Sequence, residues 1–172
     1  MLQQPLRTFG FNTLLHQCGW LILIAVLTSC GFHLRQPAPI VFKTVQLTGS
    51  SLVMPALRKS LTSQGIKLVE NSEEAELRVE LLKDENEKRI LSLSGTGVVR
   101  EYELYYRVHF RTKIASDATW ALPMVMEARR DYTYNDSSLL AKQAEEKRLT
   151  EGMQTDVLNG IMRRLSALKK AE

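Results

Sequence analysis

The chain has 172 residues, 23 Lys and Arg against 19 Asp and Glu, a formal net charge of +4, and 44% hydrophobic residues. This is the size and composition of one ordinary folded domain, too rich in apolar residues for a disordered chain and too evenly charged for a nucleic-acid binder. Two Cys and three His are too few for a disulfide scaffold or a Cys/His metal cluster.

Residues 1–18 carry Arg7 as their only charge besides the titratable His16, and residues 19–27 (GWLILIAVL) are continuously apolar. That run is about half of what a bilayer-spanning helix needs and has the length of a signal-peptide core. It closes on Val26-Leu27-Thr28-Ser29-Cys30-Gly31. A Cys behind small residues at the end of such a run is a substrate for lipid attachment and cleavage, because only a thiol can form the thioether to a diacylglycerol. Leu27-Thr28-Ser29-Cys30 resembles the lipobox of bacterial lipoproteins, which implies a signal peptide over 1–29 and Cys30 as the lipid-attachment residue. Gly31, where an Asp would retain the protein elsewhere, resembles the outer-membrane sorting pattern of that class. Removing 29 of the 172 residues leaves 143, with Cys18 gone and 22 basic residues against 19 acidic ones, since only Arg7 is lost. With no disulfide left, stability has to come from packing.

Gln36-Pro37-Ala38-Pro39 reads as an extended segment, so residues 30–40 are expected to be a lipidated tether and 41–172 the folded domain. Thr44 to Thr48 alternates around Val45 and Leu47 as a first strand. Met54, Leu57 and Leu61 then recur at helical spacing, with Ser50 or Ser51 as a possible N-cap and Gly65 beyond the end. Ala75, Leu77, Val79 and Leu81 alternate with charged residues, break at the charged stretch 83–89, and resume at Ile90, which reads as one long strand with a bulge or bend. Ser94-Gly95-Thr96-Gly97 is a turn. On the next strand Tyr102, Leu104, Tyr106, Val108 and Phe110 share one face, opposite Glu101, Glu103, Arg107, His109 and Arg111. Trp120, Leu122, Met124 and Met126 begin a fourth strand running on to Tyr132, with Pro123 marking an edge or bulge. Asn135-Asp136-Ser137-Ser138 starts a long helix whose stripe is Leu149, Met153, Val157, Ile161 and Leu165. The expected fold is a single α+β domain, β-α-β-β-β-α, with a four-stranded, mostly antiparallel sheet and two helices packed on one face.

No catalytic or metal-binding constellation is present. His109 lies on a polar strand face between Arg107 and Arg111, where a surface histidine explains it. Gly95-Thr96-Gly97 is too short to cradle a phosphate and no helix follows it. Glu101 and Glu103 point the same way, but neighbouring arginines explain them better than acid–base chemistry does. An enzyme is not expected, and no cofactor is implied. The unusual feature is a set of basic residues, Arg100, Arg107, Arg111, Lys113, Arg129 and Arg130, expected on the sheet face away from the helices. Guanidinium forks of this kind bind anionic groups such as phosphates.

Three segments, Cys30-Gly31-Phe32-His33-Leu34-Arg35, residues 93–104 (LSGTGVVREYEL) and residues 130–146 (RDYTYNDSSLLAKQAEE), together resemble the LPS-assembly lipoprotein (LptE) family, in order and over nearly the whole mature chain. The resemblance implies a lipid-anchored outer-membrane protein facing the periplasm. Such a protein plugs the LptD β-barrel translocon, assists its assembly, helps insert lipopolysaccharide into the outer leaflet, and binds lipopolysaccharide directly. Its implied partners are therefore LptD, lipopolysaccharide and, through N-terminal acyl chains including palmitate, the outer membrane; no nucleic acid is among them. Lys142 matches a basic family position at the start of the second helix, and Arg100 stands beside the glycine turn where the family also carries basic charge. With Arg107 and Arg111 these are the candidate lipopolysaccharide-binding residues. The alternative is another envelope-assembly or transport-accessory lipoprotein without lipopolysaccharide contact.

Overall fold

The computed structural model describes residues 39–170. The expected signal peptide, Cys30 and most of the expected tether lie outside that range. Within it the order is β1 (Thr44–Gly49), α1 (Met54–Ser63), β2 (Lys67–Leu68), β3 (Leu77–Leu93), β4 (Val99–Ile114), β5 (Met124–Thr133), a short 3₁₀ turn (Asp136–Ser138) and α2 (Leu139–Ser166). The five strands form one mixed sheet in the order β2-β1-β3-β4-β5, with β1 parallel to both β2 and β3 and the β3-β4-β5 ladder antiparallel.

The fifth strand corrects the expected four. Lys67 and Leu68 are too few to show any alternation, yet they pair with Thr44 and Val45 once α1 has returned the chain to the start of β1. A second correction concerns β5, which starts at Met124 rather than Trp120. Pro123 has no N–H to offer a ladder, so the strand begins just after it, at the sheet edge.

Alternation decides the layers. Val45, Leu47, Leu77, Val79, Leu81, Leu104, Tyr106, Val108 and Phe110 are buried, and both helices cover this face. From α1 come Leu57 and Leu61, and from α2 Met153, Val157, Ile161 and Leu165. Leu149 and Tyr102 lie half-buried at the margin of the same core. Gly65 (φ +80°) ends α1 as a left-handed residue. The helix start differs from expectation: Val53 is the N-cap residue and no side chain caps it. Ser51 instead accepts from the Val53 N–H and donates to Asp84 Oδ2 at 3.0 Å.

Asp84 ties the layers together. The same Oδ2 accepts the Leu52 N–H (2.8 Å) and the hydroxyl of fully buried Tyr106 (2.7 Å), so the α1 entry loop, β3 and β4 meet on one carboxylate. Burial, and then Asp84, push the Tyr106 hydroxyl pKa well above its ordinary value. Asp84 sits just past the bulge at residue 82, where the β3–β4 register slips by one. The slip moves the helix-facing positions from odd to even residues, so that Asp84, Asn86 and Lys88 stand opposite Val108, Tyr106 and Leu104 while Lys83, Glu85, Glu87 and Arg89 take the other face.

β3 and β4 are 17 and 16 residues long and extend roughly 50–55 Å, past the buried core, with only the first turn of α2 reaching their outer end. Beyond Tyr102 the hairpin overhangs the core, and Ile90, Leu91, Leu93 and Val98 are exposed. Its turn is closed by Ser94 N–H to Val98 O (2.7 Å) with Gly97 at φ +81°.

Gly49 provides a direct test of the parallel β1–β3 pairing. A Cβ there would lie 1.9 Å from the Leu81 carbonyl oxygen, whereas one on Gly97, at a similar positive φ, would meet nothing within 4 Å. Gly97→Ala should therefore cost only the left-handed penalty of about 1–2 kcal/mol, and Gly49→Ala clearly more, read as urea midpoints. For the core, Leu104→Ala should cost about 2–5 kcal/mol.

Candidate functional site

The sheet face away from the helices carries a grid of paired charges. Arg107, 18% exposed, donates to Glu127 and to Glu87 (3.1 Å), with Glu85 at 3.7 Å. Arg89 holds Glu87 with two N–H groups at 2.6 and 2.8 Å. Arg111 binds Glu80 at 2.6 Å, and Arg129 binds Glu103 at 3.2 Å. Arg89 and Arg107 also lie over Tyr105, at 4.8 and 4.6 Å from the ring centroid, and Arg111 lies over Trp120 at 4.7 Å. Hydrogen bonds from Arg89, then Arg107, hold the Glu87 carboxyl below its ordinary value. His109 Nε2 is 3.4 Å from Glu85 but makes no hydrogen bond. The guanidinium forks here are occupied by carboxylates of the same sheet, and a phosphate could enter only by exchanging with them.

One of the basic residues expected on this face is elsewhere. Arg130 pairs in register with Leu104 and so points to the helix side, where it meets Asp156 of α2. Arg100 is the extra residue of the third slip of this ladder, between the Ser92–Glu101 and Leu93–Val99 pairs, so strict alternation does not govern its direction. Its side chain is exposed. It borders a shallow, open depression of about 510 Å³ together with Ser92, Glu101, Thr133, Tyr134 and Asn135.

Lys142 reaches the same place from α2. Its ammonium donates to Thr133 Oγ1 (3.1 Å) and to Glu145 (2.8 Å). Asn135 accepts from the Ser137 N–H at 3.0 Å and so starts the turn that delivers α2. Thus Thr133 links the two: it lines the depression with Arg100 and accepts from Lys142, at the outer end of β4. Arg107 and Arg111 stand apart on the open face, Arg107 about 23 Å further along β4.

Beside Thr133 lies a cluster that sequence reasoning missed. The Lys88 ammonium sits 4.1 Å above Tyr102 and 5.6 Å from Tyr132, and Tyr134 meets Tyr102 edge-on at 5.2 Å. Glu146 of α2 accepts from both Lys88 (2.7 Å) and the Tyr132 hydroxyl (2.6 Å). These contacts clamp hairpin, β5 and α2 where the core ends. Among the described residues no group of His, Cys, Asp and Glu could hold a metal ion, and no helix is long and apolar enough to cross a membrane.

A family model described as lipopolysaccharide-assembly (LptE) matches residues 42–165, most of the chain. The chain belongs to the LptE family. It is 23% identical over 156 residues to the LPS-assembly lipoprotein LptE of Photorhabdus laumondii, covering 88% of this chain and 85% of that protein. The solution structure of lipoprotein B from Nitrosomonas europaea superposes with a TM-score of 0.69 at 35% identity, covering 80% of this chain and 91% of that one. The crystal structure of rare lipoprotein B from Shewanella oneidensis does so with a TM-score of 0.65 at 28% identity, covering 72% and 94%. The LptE family is one of non-enzymatic assembly lipoproteins, and its α+β fold is the one described above.

The clamp predicts a pH signature. Burial pushes the Glu146 carboxyl up, but hydrogen bonds from Lys88 and Tyr132 outweigh it and hold it below its ordinary value. A carboxylate depressed in the folded state stabilises the fold above its unfolded pKa, and that stability is lost as pH falls through the folded value. Glu146→Gln should therefore cost about 1 kcal/mol or less at neutral pH. The gap to wild type should close as pH drops below the ordinary carboxylate range, measured as urea midpoints across pH.

Proposed function

We propose that this protein is an outer-membrane lipoprotein, anchored through acylated Cys30 and facing the periplasm, that plugs the LptD β-barrel and helps deliver lipopolysaccharide to the outer leaflet. Family membership supports the assembly role. The observation that carries ligand binding is an open polar depression lined by exposed Arg100 and by Thr133, to which Lys142 donates. Phosphates of lipid A and the inner core are bound there by charge-assisted contacts. Arg107 and Arg111 contribute only where ligand exchanges with their carboxylates, so they act second to Arg100 and Lys142.

Two features favour the plug. Porin-type barrel interiors are polar, and the open face presents paired charges of both signs, so it can lie against such a wall without burying an unpaired ion. Arg100 also lies about 45 Å along β4 from Ile114, comparable to the ~40–45 Å of a bilayer with its headgroups. A domain held at its anchored end could thus carry Arg100 to the far leaflet.

Titrating lipopolysaccharide into the protein at low and high salt tests the ligand site. Affinity should fall with salt, since exposed charge contacts are screened over ~8 Å at physiological ionic strength. It should fall further in Arg100→Glu/Lys142→Glu, and less in Arg111→Glu. Equal affinities in all conditions would place the site elsewhere. Co-purification with the barrel should persist in the double variant, because a large interface tolerates the loss of rim charges. Intact-mass analysis of the membrane-derived protein should find Cys30 acylated at the new N-terminus; an unmodified Cys30 would remove the anchor.

A further inference from the structure

The end of the domain opposite the hairpin gathers features that the assembly role leaves unused. β1, β2, β3 and β5 start there, and β4 ends there. The described chain also begins there, so the tether leaves from this pole. Cys30 precedes residue 39 by nine residues, at most about 30 Å of extended chain. The C-terminal end of α2 arrives at the same place: Lys170 binds Glu76 at 2.8 Å, and the other oxygen of Glu76 accepts the Lys43 N–H at 2.8 Å. Residues 163–170 carry Arg163, Arg164, Lys169 and Lys170 and no acidic residue.

Large apolar side chains are exposed at this pole. Leu122, in the β4–β5 connection, is 85% exposed, and Val41, just before β1, is 53% exposed. Trp120, in the same connection as Leu122, is half-buried beneath Arg111. Acidic Glu73 and Glu74 are also there, so charge alone would not define a surface. The combination is more specific. An indole near the surface, an exposed leucine and valine, and a basic helix end lie within tether reach of the acyl chains. Amphipathic tryptophan and basic side chains are what settle at a lipid headgroup interface.

We propose that this pole is a second membrane contact, which seats the lipoprotein, when free of its barrel, on the phospholipid headgroups of the leaflet that holds its acyl chains. It rests on the reading of Cys30 as the acylated residue. The tether makes the contact intramolecular in effect, so weak interactions suffice to populate it. A single acyl-bearing tether leaves orientation free; adding Trp120, Leu122 and the α2 end fixes it, with the hairpin and its Arg100–Lys142 site pointing away from the leaflet.

Tryptophan emission tests this without a label. Trp20 leaves with the signal peptide, so Trp120 is the only indole of the processed protein. The processed lipoprotein, its Cys30 acylation verified by mass, is placed in phosphatidylcholine vesicles with and without phosphatidylglycerol, each bearing a headgroup-level quencher. Trp120 emission should shift to the blue and be quenched relative to detergent solution, more so with phosphatidylglycerol, and that added quenching should be lost at high salt. Leu122→Ser/Lys169→Glu changes two exposed residues outside the core and should lose most of the quenching while keeping its unfolding midpoint. Unquenched, unshifted emission from the acylated wild type would overturn the inference alone, including the case in which this pole serves a protein partner. An unacylated Cys30 would overturn the anchor reading and the inference with it.

Discussion

A β-ladder is held firmly only where something covers one of its faces. Here the covering runs out before the ladder does. The apolar row of β4 from Leu104 to Phe110 is buried under α1 and α2, yet β3 and β4 continue past Tyr102 to a turn with no helix beneath it. The features at the outer end of the ladder follow from that mismatch. It creates the overhang, exposes Ile90, Leu91, Leu93 and Val98 on it, and leaves the start of α2 as the only helix near its base.

The boundary between covered and uncovered ladder is chemically distinct. On the core side Asp84 gathers Ser51, Leu52 and Tyr106, and on the outer side Lys88 and Glu146 lock three tyrosines between hairpin, β5 and α2. These contacts keep a protruding arm in fixed relation to the body at modest exposure. Beyond them, Arg100 near the turn and Lys142 at Thr133 form the proposed ligand site at the outer end of β4.

Much of the fold is legible in the residue order. The alternation of Tyr102 to Phe110, the four-residue step from Leu149 to Leu165 and the glycine turn each report a local period that burial enforces. The break after Leu81 and Pro123 at an edge were readable for the same reason. What escaped was register and pairing. Lys67-Leu68 becomes a strand only because α1 returns it beside β1, an event with no local signature. Arg130 was expected on the open face because the pairing that sets the alternation of β5 is not displayed in the sequence. The tyrosine–lysine clamp joins residues from three elements, and its members look unremarkable singly. The basic set was visible as composition, but its neutralisation by Glu80, Glu87, Glu103 and Glu127 depends on cross-strand neighbours that only register supplies.

The central claim is that a rigid, covered core carries an uncovered hairpin, with the proposed ligand site at the outer end of β4. Amide hydrogen exchange along the processed lipoprotein, alone and with lipopolysaccharide, tests it most directly. The account predicts that Val79, Leu81 and Leu104 to Phe110 exchange only through global unfolding, while residues 90–99 exchange through cheaper local opening. Lipopolysaccharide should then slow exchange at 98–102 and 133–142 without further protecting the core. A hairpin as protected as the core in the free protein, or ligand protection confined to the Arg107–Arg111 face, would contradict it.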